Sequence, residues 1–177
     1  MTTENKQDEF ERMFLAKHLP PMLTGARSKE IFDIYIPHTQ PHCKLRLRKA
    51  GDTLEMTKKE PATGSDSSHL VEYTIPLTPE EFAALRTVKG KEVRKIRYYY
   101  EADSVTYEVG VFQDALLGLV TVDVEFHNRE AMEAFQMPDW FLAEVTQQSF
   151  LAGGELCGKS FEDIAHHLER YDYVPIK

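Results

Sequence analysis

Residues 43–49 read CKLRLRK, and this alternation of apolar and basic residues decides the predicted fold. Lys44, Arg46 and Arg48 fall on one face of an extended chain, and the apolar residues fall on the other. Val120–Phe126 repeats the pattern with the opposite charge, because Asp123 and Glu125 alternate with valines. Both stretches predict β-strands with one apolar and one charged face.

The remaining segments predict a mostly antiparallel sheet with a few helices. Further strand patterns span residues 30–36, 53–59, 69–77, 91–100 and 104–112. Helix starts are predicted at Thr78, Asn128 and Ser160, each of which can cap a helix through its side-chain oxygen. Residues 9–16 fit either a strand or one face of a helix. About eight strands with short connections favour an α+β fold, an eight-stranded antiparallel β-barrel with a few helices packed outside.

The charges are sorted by strand, and this sorting gives the first indication of function. Lys95 and Arg97 share one strand pattern, whereas Asp123 and Glu125 share another. A strand with a charged face usually turns that face to water, and this remains the alternative for each strand taken alone. A merely soluble surface, however, would mix the two signs. We therefore expect the charged faces to line the interior of the barrel.

An interior with basic and acidic walls suits a metal-bound polyphosphate. Arginine and lysine bind phosphate oxygens, and clustered carboxylates bind a hard cation such as Mg²⁺ or Mn²⁺. The net charge of −8 argues against a nucleic-acid or membrane-surface binder, so we expect a small-molecule polyphosphate as the partner.

Composition predicts one domain, spanning residues 1–177, in the cytoplasm. The two cysteines form no CxxC pair, which predicts reduced thiols rather than a zinc site or disulfides. We predict neither a signal peptide nor a membrane span. Whether the chain forms a homodimer is left open.

Nine short segments, in order, resemble motifs of the CYTH superfamily, also called triphosphate tunnel metalloenzymes. The family opens with E-x-E-x-K, continues with paired arginines and an L-T-I-K strand, and ends with P-x-W and E-V-T. The corresponding segments here are EFERM at 9–13, LRLR at 45–48, MTKK at 56–59, VEY at 71–73, KIRY at 95–98, YEVGVF at 107–112, LVTVDVEF at 119–126, PDW at 138–140 and EVT at 144–146.

The resemblance implies an eight-stranded tunnel that hydrolyses inorganic triphosphate, thiamine triphosphate or nucleoside triphosphates. It assigns metal binding to Glu9, Glu11, Asp123 and Glu125 and catalytic roles to Glu72 and Glu108. Phosphate binding falls to five cationic residues: Arg46, Arg48, Lys59, Lys95 and Arg97. Lys58 competes with Lys59 for this role, because a shift of one residue in register exchanges the inward lysine.

The chain departs from the family pattern at three positions. Met13 stands where the family has lysine, Gly110 where it has aspartate, and Asp123 where it has glutamate. Loss of a cation would weaken substrate binding, and loss of a carboxylate would weaken a second metal site. The alternative functions are therefore a non-catalytic polyphosphate or nucleotide sensor and, ranked lower, an adenylyl cyclase.

Overall fold

The computed structural model describes residues 6–102 and 105–177. Within them, nine strands form one sheet. The strands are β1 (Lys6–Ala16), β2 (Arg27–Ile36), β3 (Leu45–Ala50), β4 (Thr53–Pro61), β5 (His69–Pro76), β6 (Lys91–Ala102), β7 (Val105–Phe112), β8 (Val120–Phe126) and β9 (Phe141–Glu144).

The sheet closes on itself because β1 has partners on both sides. The order is β5-β4-β3-β2-β6-β7-β8-β1, and β1 also pairs with β5, antiparallel throughout. The predicted eight-stranded antiparallel barrel is therefore confirmed. The short strand β9 adds to the end of β1 through pairs such as Phe14 with Glu144, and the sequence analysis did not place it.

Most strand predictions hold, with differences at the ends. The ambiguous residues 9–16 form a strand, because Glu11 and its neighbours pair with β8. Strand β3 begins only at Leu45, so Lys44 is not part of the strand. Its ammonium instead makes a surface ion pair with Glu60 at 3.3 Å. Ser104, the predicted start of β7, lies outside the described residues.

Three of the four α-helices in the described residues begin at the predicted caps. The four helices are α1 (Pro79–Leu85), α2 (Arg129–Ala134), α3 (Gly153–Leu156) and α4 (Phe161–Leu168). At α1, the Glu81 N–H donates to the Thr78 hydroxyl at 3.2 Å, and the Thr78 N–H donates back to the Glu81 carboxylate at 2.8 Å. Asn128 caps α2, and Ser160 caps α4. Short helix α3 was not predicted.

In the part of the chain that the structure describes, no helix is both long and apolar enough to cross a membrane.

On several strands the outward face is apolar and covered, as the alternation predicts. Leu47 and Ile34 pack under Phe82 of α1. On the other side of the barrel, Phe14 of β1 and the valines of β8 pack with Phe141 of β9. The charged faces of the same strands therefore point toward the interior of the barrel.

The C-terminal segment closes one end of the barrel rather than only covering its outside. Leu15 and Phe112 lie at the ends of the inward faces of β1 and β7, and they pack against Leu151, Leu156 and Ile164. We call residues 145–173 the plug, since they fill this end. The helices pack outside the strands, as expected: α1 and α2 lie along the side of the barrel, and α3 and α4 lie at one end.

Within the plug, Gly154 lies directly against the backbone of Cys43. A Cβ atom added there would lie 1.9 Å from the carbonyl oxygen of Cys43. We expect Gly154→Ala to lower the free energy of unfolding by about 2–3 kcal/mol, because the plug must move away from Cys43. Gly64→Ala is the control, since a Cβ at Gly64 meets nothing and only its positive φ of 57° opposes the change, at about 1 kcal/mol. Urea unfolding measures both, and equal losses would contradict this account of the plug.

Candidate functional site

The interior of the barrel is a cavity of about 800 Å³ whose wall is highly charged. Every residue predicted for the site contributes to the wall. These residues are Glu9, Glu11, Arg46, Arg48, Lys59, Glu72, Lys95, Arg97, Glu108, Asp123 and Glu125. The structure thus brings together side chains from seven strands.

Antiparallel register places these side chains opposite one another. Arg48 of β3 lies opposite Asp33 of β2, and Lys59 of β4 lies opposite Glu72 of β5. The register also decides between the two lysines of β4. The Lys59 side chain is 21% exposed and contacts the inner acids, whereas that of Lys58 is 47% exposed and pairs with Glu60. Lys59 therefore faces the cavity, and Lys58 faces outward.

Three carboxylates form the acidic part of the site. Glu9, Glu11 and Glu125 each offer an oxygen within 4.8 Å of the other two. Burial raises the pKa of Glu11, and the neighbouring charges of Asp123 and Glu9 raise it further against the opposing effect of Lys59. Clustered carboxylate oxygens are the ligands that hard divalent cations prefer, so this donor set fits Mg²⁺ or Mn²⁺.

The Lys59 ammonium lies in the acidic cluster. Its Nζ is 2.6 Å from a Glu9 oxygen and 2.5 Å from a Glu11 oxygen. A protonated amine thus supplies positive charge where the donor set would also accept a cation.

Asp123 lies apart from the acidic cluster, between two cations. Its carboxylate is 3.6 Å from Lys95 Nζ and 3.6 Å from an Arg97 nitrogen. Burial raises the pKa of Asp123, but Lys95 and Arg97 together lower it below its usual value. Here Asp123 neutralises the basic wall, and its predicted role as a metal ligand stays a prediction.

The basic part of the site holds donors without acceptors. Arg46 donates to the Tyr35 hydroxyl and to Glu72, both at 3.3 Å, and Arg97 forms an ion pair with Glu108. The Nε atoms of Arg46 and Arg97 are nevertheless buried without a hydrogen-bond acceptor among the described residues. A buried donor left unpaired destabilises a protein by about 1–3 kcal/mol. Oxygen atoms of a bound anion would satisfy these donors.

Lys95 is a cavity cation whose pKa is lowered. Burial, together with the charges of Arg97 and Arg48, lowers its pKa to about 8 against the attraction of Asp123. Bound phosphate would oppose this shift, because negative charge stabilises the ammonium form.

Asp33 is a cavity residue that the sequence patterns did not indicate. Its side chain is buried in β2, and both carboxylate oxygens accept hydrogen bonds from Arg48 at 2.7 Å. The signal was a single acid on the inward face of an otherwise apolar strand pattern. Finding it required knowing that β2 pairs with the arginine strand.

Two of the departures from the family pattern also lie in or beside the cavity. Met13 lines the cavity next to the plug. A Cβ at Gly110 would lie 3.0 Å from Cδ and 3.2 Å from Nζ of Lys95. Lys95 therefore lies over Gly110, and an aspartate there would require the lysine to move.

Comparison with known proteins identifies the family. The chain is 32% identical over 148 residues to the inorganic triphosphatase of Nitrosomonas europaea, covering 78% of this chain and 89% of that protein. This chain is a CYTH triphosphate tunnel protein. An inorganic triphosphatase of Acetivibrio thermocellus is 29% identical over 102 residues, which cover 58% of this chain and 64% of that protein. No protein-family model matches the chain.

Solved structures agree with the CYTH assignment. The crystal structure of the inorganic triphosphatase NE1496 matches with a TM-score of 0.61 and 28% identity, covering 89% of this chain and 95% of that one. A putative adenylate cyclase from Bacillus halodurans matches with a TM-score of 0.55 over 98% of this chain and 94% of that one. Its identity is 13%, so this likeness shows the fold alone.

The position of Lys59 generates a prediction about metal binding by this CYTH protein. We expect Lys59→Met to bind Mn²⁺ about tenfold more tightly than the wild type near pH 8 without phosphate compounds. The reason is that the metal no longer competes with the ammonium for Glu9 and Glu11. Titration calorimetry measures the affinity. Lys58→Met, which removes the outward neighbour, should leave it unchanged, and unchanged or weaker binding by Lys59→Met would contradict the competition.

Glu125 generates a prediction about pH. Burial and then the charges of Glu108 and Glu9 raise its pKa from 4.5 to about 7. Because the folded protein binds this proton more tightly than the unfolded chain, the metal-free protein loses stability as pH rises from about 4.5 through about 7. Glu125→Gln removes this loss, so its stability relative to wild type should rise between pH 5 and pH 8.

Urea unfolding in the presence of a chelator measures this relative stability. The Glu125 side chain is in contact with solvent, which screens its interactions. The prediction is therefore that the relative stability of Glu125→Gln rises with pH. Glu60→Gln, which removes an exposed acid, is the control. A relative stability that falls with pH for Glu125→Gln would contradict the shift.

Proposed function

We propose that this chain hydrolyses inorganic triphosphate to phosphate and diphosphate with the help of Mg²⁺ or Mn²⁺. One observation supports this most directly: a cluster of three carboxylates and buried arginine donors without acceptors among the described residues line the same cavity. The similarity to inorganic triphosphatases names the substrate class, since the cavity by itself selects only for a polyanion.

The basic side chains would bind the phosphate groups. Arg46, Arg48 and Arg97 present guanidinium groups to the cavity, and a guanidinium can engage two oxygens at once. Because these side chains are held by Glu72, Asp33 and Glu108, their positive charge is in place before the substrate arrives. Such preorganised charge stabilises the charge that develops as the phosphoryl group is transferred.

The acidic cluster would hold the metal through Glu9, Glu11 and Glu125. A divalent cation neutralises phosphate charge and makes bound water a stronger nucleophile. Lys59 would leave Glu9 and Glu11 as the site fills, and its ammonium would then be free to bind phosphate. Lys59 would thus act in both the acidic part and the basic part of the site.

Glu72 and Glu108 are proposed to orient the attacking water. Glu72 accepts hydrogen bonds from the Thr74 hydroxyl at 2.9 Å and from Arg46 at 3.3 Å, which fixes its carboxylate at the cavity wall. Glu108 lies opposite Asp123 in the register and is held by Arg97. In hydrolysis, water attacks the terminal phosphorus, the bond to the bridging oxygen breaks, and a proton passes from the water to a carboxylate.

We also propose a cytoplasmic location and a small-molecule partner, in keeping with the net charge of −8. The two cysteines, Cys43 and Cys157, are free and buried, as expected of a reducing compartment.

The proposed reaction predicts metal-dependent release of phosphate. We expect wild-type protein with triphosphate and Mg²⁺ or Mn²⁺ to release phosphate, and a chelator to stop it. Glu11→Gln should lower kcat/KM at least 100-fold, or about 2.7 kcal/mol, because it removes a charged ligand from the cluster. Glu60→Gln should leave the rate unchanged, since Glu60 lies on the surface.

The alternative functions give different results in the same experiment. A sensor would be stabilised against heat by triphosphate without releasing phosphate. This outcome is the one favoured by Met13 and Gly110. Formation of cyclic AMP from ATP would indicate a cyclase. If triphosphate produces neither a melting shift nor phosphate release, both the hydrolase and the sensor are excluded.

A further inference from the structure

Asp33 is a buried acid in direct contact with the basic wall of the cavity. Its side chain is only 5% exposed, and it makes a two-point ion pair with Arg48. The Nε and Nη2 atoms of Arg48 each donate to a different Asp33 oxygen at 2.7 Å. This parallel geometry is the strongest form of arginine–carboxylate pairing, and it restricts the guanidinium to one plane.

The pairing leaves one amino group of Arg48 available. A guanidinium carries five N–H donors, and Asp33 uses the Nε and Nη2 side of the fork. Nη1 donates to no residue in the described part of the chain, and Arg48 lines the cavity. Asp33 thus sets the orientation in which Arg48 offers its remaining donors.

Asp33 also balances a cluster of like charges. Arg46, Arg48 and Lys95 all act on it electrostatically, lowering its pKa to about 2 although burial alone would raise it. Among these cations, the charge of Arg48 disfavours the protonated forms of Arg46 and Lys95, and the charge of Asp33 favours both. One carboxylate therefore offsets repulsion within a group of three buried cations.

We propose that Asp33 is a positioning residue for triphosphate binding, which holds Arg48 in the orientation that phosphate requires. The inference rests on the proposed function. Asp33 acts through Arg48, since its own negative charge would repel a phosphate oxygen. Its contribution therefore depends on the arginine being present.

Asp33→Asn tests the proposal, because it keeps the shape of the side chain and removes the charge. We expect the KM for triphosphate to rise at least tenfold, with a smaller fall in kcat, in steady-state assays of phosphate release. In an Arg48→Met background the same change should alter kcat/KM less than twofold. If Asp33→Asn lowers kcat/KM by the same factor with and without Arg48, its effect is a general structural one and the proposal is overturned. An unchanged or lower KM in the single variant overturns it as well.

A matched control exists on the surface. Asp114 receives the same two-point pairing from Arg94, with distances of 2.8 and 2.6 Å, but the pair is exposed and lies outside the cavity wall. Asp114→Asn should leave KM and kcat unchanged. A tenfold rise in KM for this variant too would mean that the effect is not specific to Asp33.

Two further measurements test the role of Asp33 if Asp33→Asn does not fold or if the wild-type protein releases no phosphate. If Asp33→Asn does not fold, Asp33→Glu retains the charge but lengthens the side chain, and it should raise KM several-fold; a wild-type KM would overturn the positioning role. If wild-type protein releases no phosphate, the hydrolase proposal fails by itself. Triphosphate affinity by calorimetry then replaces KM, with the same tenfold loss expected for Asp33→Asn and equal affinity overturning the inference.

Discussion

The double pairing of β1, with β8 on one side and β5 on the other, is the constraint on which the cavity depends. It turns an open sheet into a closed barrel, so each strand has one face toward the lumen and one toward the outside. Strand β1 also carries Glu9 and Glu11 to the seam between β8 and β5, where both carboxylates contact Lys59 of β4. With that seam open, the same carboxylates would face water and share no ligand.

Closure forces many charges into a confined space, and the structure balances them locally. Charged groups removed from water are strongly destabilising unless they are paired and hydrogen-bonded. Each inner cation accordingly has an acid beside it, such as Asp33 for Arg48 and Glu108 for Arg97. The balance is incomplete, because the Nε atoms of Arg46 and Arg97 have no acceptor among the described residues. An interior balanced in this way is prepared for a ligand that carries both a polyanion and a cation.

The plug gives the barrel two unlike ends. At the plug, inward residues of the strands join an apolar core with α3 and α4, and Met13 lies where this core meets the charged wall. A methionine is suited to that boundary, whereas a lysine would have needed an acid nearby. Gly110, the position at which the family has such an acid, is covered by Lys95. Compared with the family pattern, Met13 thus removes one cation from the lumen, and Gly110 removes one anion from it.

Local patterns in the sequence predicted the inward arginines, the alternating strands and the capped helices, because alternation and capping depend on residues close together in the chain. They left residues 9–16 undecided between helix and strand, since a short apolar pattern fits both. The choice of Lys59 over Lys58, the partner of Asp33 and the closure by the plug came only from the tertiary structure. Each of these depends on strand register or on contacts between distant segments, and a shift of one residue would exchange the inward and outward faces.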